Sequence, residues 1–150
     1  MVPMTYALGT SAATVRTAPL LLIDLDTNEG VTGRIGENFS QVHDSRKALD
    51  ARACDCVMPD LERIGGVTGW QRASALAAEA GVPMSSHLYP EVSAHLLAAT
   101  PTAHWLEYVD WMNPLLAEPL AITGGMAVAS ERPGLGLTWN DDMVSRYAGV

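Results

Sequence analysis

Four titratable side chains each follow a short apolar segment, and about one strand plus one helix separates each from the next. They are Glu37, Asp60, His87 and Glu107. The segments that precede them are predicted to be β-strands, so the polar groups stand where strands end. Parallel sheets and α/β barrels carry their chemistry at the carboxyl ends of their strands. The four residues therefore predict one functional site at one edge of a parallel sheet.

Asp60 and His87 form the pair with the most specific chemistry. A carboxylate beside an imidazole fixes the tautomer of the ring and strengthens it as a base, as a general base near neutral pH requires. The pattern alone leaves a catalytic and a purely structural role open.

The elements that would position these residues alternate between strand and helix from Arg34 to Glu107. After the first strand, helices are predicted at Ser40–Arg52, Thr68–Ala80 and Glu91–Ala99, and strands at Cys54–Met58, Val82–Ser86 and His104–Leu106. Gly81 is placed to end the second helix. Such alternation is typical of a parallel sheet with right-handed crossovers.

The two flanks of this region differ from it. Val15–Leu25 and Val31–Ile35 predict a β-hairpin around the turn residues Asp26–Gly30. Beyond Glu107, prolines and glycines predict loops and short extended pieces. The four tryptophans are interpreted as packing residues: Trp70, Trp105, Trp111 and Trp139.

Composition excludes several classes of protein. The 150 residues suit one domain, and the net charge of −8 without a basic cluster argues against nucleic acid and anionic membranes as partners. Met1–Ala18 lacks the pattern of a signal peptide, and the longest apolar run is too short to span a bilayer. Cys54 and Cys56 are expected to be reduced thiols in a cytoplasmic protein, because a metal site at this pair lacks two further ligands.

Longer stretches resemble the mandelate racemase/muconate lactonizing enzyme family of the enolase superfamily. The most specific are MPDLERIGGVTGW at Met58–Trp70 and GVPMSSHLYPEVSAHLLAATPTAHWLE at Gly81–Glu107, and shorter matches lie at Val2–Gly33, Ile35–Ser40 and Pro133–Trp139. The resemblance implies a capping domain and a (β/α)7β barrel. It also implies abstraction of the α-proton of a carboxylate, in a superfamily well known for a Lys or His base that works beside Mg2+.

The resemblance assigns a role to each strand-end residue. Glu37 matches a metal ligand, Asp60 and His87 match a dyad whose histidine is the general base, and Glu107 matches an acid that hydrogen-bonds the substrate carboxylate. The implied function is that of a racemase or epimerase acting on a small carboxylate. An acid-sugar dehydratase, a carboxylate-binding protein and a non-catalytic remnant remain open alternatives.

A typical barrel takes about 250 residues, so 150 cannot hold a barrel and a cap. We therefore expect an internal deletion at Gly33–Arg34, with a capping-domain hairpin at 1–33, a half TIM-like barrel of about four βα units at 34–107 and an irregular segment at 108–150. The lost part would hold a Lys-x-Lys motif and two of three metal carboxylates, while Lys47 is the single lysine. Mg2+ is the implied cofactor, but Glu37 alone predicts a weak site. Open edges at the first and last strands predict a homo-oligomer.

Overall fold

The computed structural model describes the backbone of residues 2–9, 14–18, 22–26, 32–37 and 42–147, and side chains over 42–146. Its strands are β1 (Val2–Gly9), β2 (Thr14–Ala18), β3 (Leu22–Asp26), β4 (Thr32–Glu37), β5 (Cys56–Met58), β6 (Ala121–Thr123) and β7 (Met126–Val128). Its helices are α1 (Val42–Asp50), α2 (Gly66–Ala80), α3 (Pro90–Ala98) and α4 (Asp141–Tyr147), with a 3-10 turn at Asn113–Leu115. No helix within these ranges is long and apolar enough to cross a membrane.

A parallel arrangement connects the segments that carry the predicted site. β4 pairs with β5 in parallel, and single parallel bridges continue the order from Val57 to Met84 and from Met84 to Ala103. The predicted strands Val82–Ser86 and His104–Leu106 are thus reduced to isolated bridges, although backbone hydrogen bonds such as His104 N–H to the Met84 carbonyl (2.9 Å) keep them aligned. The prediction of a mixed α/β fold is confirmed.

β4 continues without interruption across the predicted junction. Gly33 and Arg34 pair with Leu25 and Asp24 of β3 in an antiparallel register, while the other edge of β4 pairs with β5. The expectation of two open edges is therefore wrong at β4, because β3 already occupies the edge that was predicted to be free.

Helix α2 builds the core behind the sheet. Trp70, Ala73 and Ala77 lie on its buried face, and they belong to one cluster with Val57 and Met84. The indole N–H of Trp70 donates to Thr100 Oγ1 (3.0 Å), so the polar atom of this buried ring is satisfied. The helix ends at Gly81, whose φ of 67° is the left-handed cap that the sequence predicted.

Beyond Glu107, where loops and short extended pieces were predicted, β6 and β7 of three residues each form a hairpin. It turns at Gly124–Gly125, whose positive φ values of 58° and 80° suit a two-residue turn. The prediction that all four tryptophans are packing residues is wrong for three of them: Trp70 is buried, whereas Trp105, Trp111 and Trp139 are exposed by 69%, 71% and 51%. Cys54 and Cys56 are buried and are not joined by a disulfide.

Candidate active site

Asp60 lies at the first turn after β5 and is held there by the backbone that follows it. Its Oδ1 accepts the N–H groups of Glu62 (2.8 Å) and Arg63 (3.0 Å), which fixes the carboxylate in the turn. The residue is only 3% exposed. A carboxylate this buried needs such donors, because desolvation of an unpaired charge is costly. The remaining oxygen, Oδ2, faces the next strand.

His87 is brought to Asp60 by a parallel bridge between these two residues. The ring atom Nδ1 lies 3.2 Å from Asp60 Oδ2. A carboxylate partner favours the tautomer that carries its proton on Nδ1, and the lone pair of the neutral ring then resides on Nε2. The His87 side chain is 15% exposed, so the dyad lies at a surface that a small molecule can reach.

Glu107 reaches the loop after His87. Its backbone N–H donates to Ser86 Oγ (3.0 Å), and its Oε2 accepts the backbone N–H of Leu88 (2.7 Å). Three of the four predicted residues, Asp60, His87 and Glu107, thus lie on adjacent segments at one edge of the parallel arrangement. The bond to Leu88 gives Glu107 a structural task that the sequence did not predict.

The two residues after His87 adopt a left-handed backbone conformation. The φ values of Leu88 and Tyr89 are 56° and 49°, which is unfavourable for residues with a Cβ. Glu107 holds the N–H of Leu88, and Ser93 Oγ, which is buried, donates to the Leu88 carbonyl (3.0 Å). Strained backbone of this kind clusters at functional sites because it aims a side chain.

Tyr89 and Glu62 connect the two loops that carry the dyad. The Tyr89 hydroxyl donates to Glu62 Oε2. This bond, with burial as a smaller cause, raises the pKa of Tyr89 to about 12. The phenol therefore stays protonated and bonded at neutral pH. The sequence analysis did not predict a role for either residue. The available signal was their position, because each lies two residues beyond a member of the dyad.

The predicted metal ligand Glu37 ends β4, where its Cα pairs with that of Met58, two residues before Asp60. Its side chain is outside the described residues. Within those residues, no group of three or more His, Cys, Asp or Glu side chains is arranged to hold a metal ion. The Asp60 oxygens are already bonded to two backbone N–H groups and to His87. The described residues therefore do not by themselves fit a Mg2+ site, and we derive no step through the metal.

Comparison with known proteins decides the family. The family described as "Enolase C-terminal domain-like" matches residues 29–143. The chain belongs to this family. The resemblance to the enolase superfamily drawn from the sequence is thereby confirmed over the C-terminal part of the chain.

Solved structures and curated proteins of this superfamily are similar to the chain in fold and sequence. An enolase from alpha pretobacterium bal199 with bound Mg is 52% identical, with a TM-score of 0.71 over 73% of this chain and 30% of that one. An enolase from Bradyrhizobium complexed with magnesium and mandelic acid is 45% identical, with a TM-score of 0.68 over the same shares. The L-talarate/galactarate dehydratase of Salmonella typhimurium is 36% identical over 71% of this chain and 27% of its own length. The chain thus spans about a third of the length of these relatives.

Proposed function

We propose that the chain abstracts the α-proton of a small 2-hydroxycarboxylate, with His87 as the base, in a reaction of the racemase or epimerase type. The observation that carries this proposal is the contact of 3.2 Å between His87 Nδ1 and Asp60 Oδ2. This contact fixes the orientation of the partly exposed imidazole, as a general base requires. An enolase from Bradyrhizobium at 45% identity was solved in complex with mandelic acid, which is a 2-hydroxycarboxylate.

The first half of the reaction, removal of the α-proton, balances on the residues of the dyad. Nε2 of His87 takes the proton from the α-carbon, and the electron pair of that C–H bond moves into the substrate carboxylate to give an enediolate. The imidazolium that forms shares its Nδ1–H with Asp60, whose charge compensates it. Glu107 is proposed to hydrogen-bond the substrate carboxylate from the neighbouring segment, as the family resemblance implies.

Dehydration of an acid sugar is the second candidate, and one observation favours it. Racemisation needs a proton donor on the opposite face of the α-carbon, but the single lysine, Lys47, lies exposed on α1. In a dehydration, His87 can return its proton to the departing hydroxyl on the same face, so one histidine suffices. The similarity to the Salmonella typhimurium L-talarate/galactarate dehydratase agrees with this outcome.

The assembly of the site is also a proposal, because the chain covers only part of its relatives. We propose a half-barrel at 34–107 between a capping-domain hairpin at 1–33 and a C-terminal segment at 108–150, with Glu37 as one Mg2+ ligand. Two copies are proposed to associate at the segment Ala103–Leu106, since β3 covers the edge of β4 and the described residues show no strand paired to the far side of this segment.

Product analysis tests the function. Single enantiomers of mandelate and other 2-hydroxy acids, and acid sugars such as galactarate, are incubated with the chain and followed by chiral chromatography and NMR. Formation of the opposite stereoisomer supports the racemase proposal, and loss of water supports the dehydratase. A folded sample that forms neither product would support the carboxylate-binding or non-catalytic alternatives.

A further inference from the structure

A cleft of about 370 Å³ lies between α3 and the C-terminal segment, apart from the Asp60–His87 dyad. Its walls come from the first turns of α3 and from the chain around the β6–β7 hairpin. Apolar side chains form part of it: Leu120, Val128, Leu135 and Leu137. The proposed reaction uses none of these residues.

Glu91 is the unusual member of this lining. It stands in the first turn of α3, directly after Pro90, and it is only 3% exposed. Its Oε1 is buried and has no hydrogen-bond partner within the part of the chain that the structure describes. A buried carboxyl oxygen without a donor lowers stability, so native proteins usually supply one. Glu91 lines the cleft, so a turn of its side chain would bring this oxygen to a molecule there that carries N–H donors.

The charges around the cleft favour a cation. Two further carboxylates, Glu118 and Glu131, line it with Glu91, against the guanidinium of Arg132. Arg132 already bonds Glu118 (2.9 Å) and the Gly136 carbonyl, so it does not compensate Glu91. His95 Nε2 lies 3.2 Å from the Leu135 carbonyl, a contact that holds this ring at the cleft wall.

An organic cation suits the cleft better than a metal ion. Among the described residues, no three His, Cys, Asp or Glu side chains are arranged to hold a metal. The leucine and valine walls instead match a hydrocarbon chain. We propose that this cleft binds a small primary ammonium compound, with its charged end on the Glu91 carboxylate and its hydrocarbon part against the apolar wall.

An NMR titration of the full chain with n-butylammonium tests this site. We expect saturable shifts of the backbone amides of Leu135 and Gly136, which line the cleft, and no saturable shifts with butyrate, which has a similar chain but the opposite charge. The absence of saturable shifts with n-butylammonium would overturn the proposal, as would equal binding of butyrate.

Glutamate-to-glutamine variants test which carboxylate contributes to n-butylammonium binding. Glu91→Gln should weaken n-butylammonium binding at least about tenfold, because it removes a charge-assisted hydrogen bond. Glu79→Gln makes the same change at an exposed glutamate of α2 that pairs with Arg46, and it should leave binding unchanged. Unchanged affinity in Glu91→Gln would overturn the proposal. If Glu91→Gln does not fold, Glu131→Gln replaces it as the test, since Glu131 is an exposed carboxylate of the same cleft. This variant should weaken n-butylammonium binding about twofold or more, and an unchanged affinity would contradict the site.

Discussion

At the scale of single residues, the candidate site depends on side chains that position one another through hydrogen bonds. Asp60 is fixed by two backbone N–H groups and in turn orients His87, while Glu107 secures the backbone immediately after the histidine. The sequence was sufficient to predict that these three residues lie together, because each follows a segment predicted to be a strand of one parallel sheet. It was insufficient for Tyr89 and Glu62, because a hydroxyl–carboxylate bond between two loops depends on the strained backbone at Leu88 and Tyr89.

Asp60→Asn tests how far the base depends on its carboxylate. The amide oxygen can still accept the N–H groups of Glu62 and Arg63, so we expect the fold to persist. The neutral amide cannot compensate the imidazolium, and α-proton exchange should fall by about 10²–10⁴-fold. Asp50→Asn, at an exposed position on α1, is the matched control and should exchange at the wild-type rate. Wild-type exchange in Asp60→Asn would contradict the dyad.

Tyr89→Phe tests the bond between the two loops. Removal of the hydroxyl that donates to Glu62 should lower the free energy of unfolding by about 0.5–1.5 kcal/mol near neutral pH. The folded-state pKa of Tyr89 is raised from 10.0 to about 12, so the contribution is fully present below pH 10 and is lost as the pH rises through 12. Urea unfolding of both proteins from pH 8 upwards should show their difference shrinking in this window.

The control for this pH series is Tyr108→Phe, which removes a hydroxyl bonded to the Asn113 side-chain amide rather than to a carboxylate. A difference between wild type and Tyr89→Phe that stays constant up to pH 12 would show that the hydroxyl–carboxylate bond contributes nothing.

At the scale of elements, local sequence patterns predicted the helices better than the short strands. The apolar spacing and Gly81 sufficed for α2, since both signals are local. The segments around Met84 and Ala103 keep only bridges, because their strand character depends on neighbours distant in sequence. The β6–β7 hairpin was missed although Gly124–Gly125 signals a two-residue turn, because its strands have only three residues each.

Gly69 within α2 and Gly81 at its C-terminal cap give an unusual prediction. Gly81→Ala meets no atom within 4 Å but strains a φ of 67°, so it should cost about 1–2 kcal/mol. Gly69→Ala would place its Cβ 1.8 Å from the Ile64 carbonyl oxygen, a contact that forces the backbone apart beside the buried Trp70. Thermal unfolding should therefore show Gly69→Ala as the more destabilised variant, although alanine favours helices. The reverse order would contradict the close packing of this helix start.

At the scale of the whole molecule, the family resemblance and the length of 150 residues predicted a partial barrel, but pairing with β3 changes how such a part can associate. The proposed contact between copies is at Ala103–Leu106, on which the exposed Trp105 lies. Such association would follow from the tendency of unpaired strands to pair with other chains. The pairing of β3 with β4 is the hairpin that the turn residues Asp26–Gly30 predicted, so the cover on β4 follows from a local sequence signal.

Trp105→Glu tests association at this edge. We expect multi-angle light scattering to show an oligomer for the wild type at micromolar concentration and a monomer for the variant, because a charge at an edge strand opposes pairing. Ile122→Glu, on the exposed β6–β7 hairpin, is the control and should keep the wild-type mass. A monomeric wild type would refute the proposed assembly.

The central claim is that His87 removes the α-proton of a carboxylate substrate. Solvent deuterium incorporation at the α-carbon of mandelate and other 2-hydroxy acids, followed by NMR, tests it most directly. We predict exchange in the wild type and in His43→Asn, which alters an exposed histidine of α1, and none in His87→Asn. Exchange that survives in His87→Asn, or a folded wild type that exchanges none of these substrates, would contradict the account.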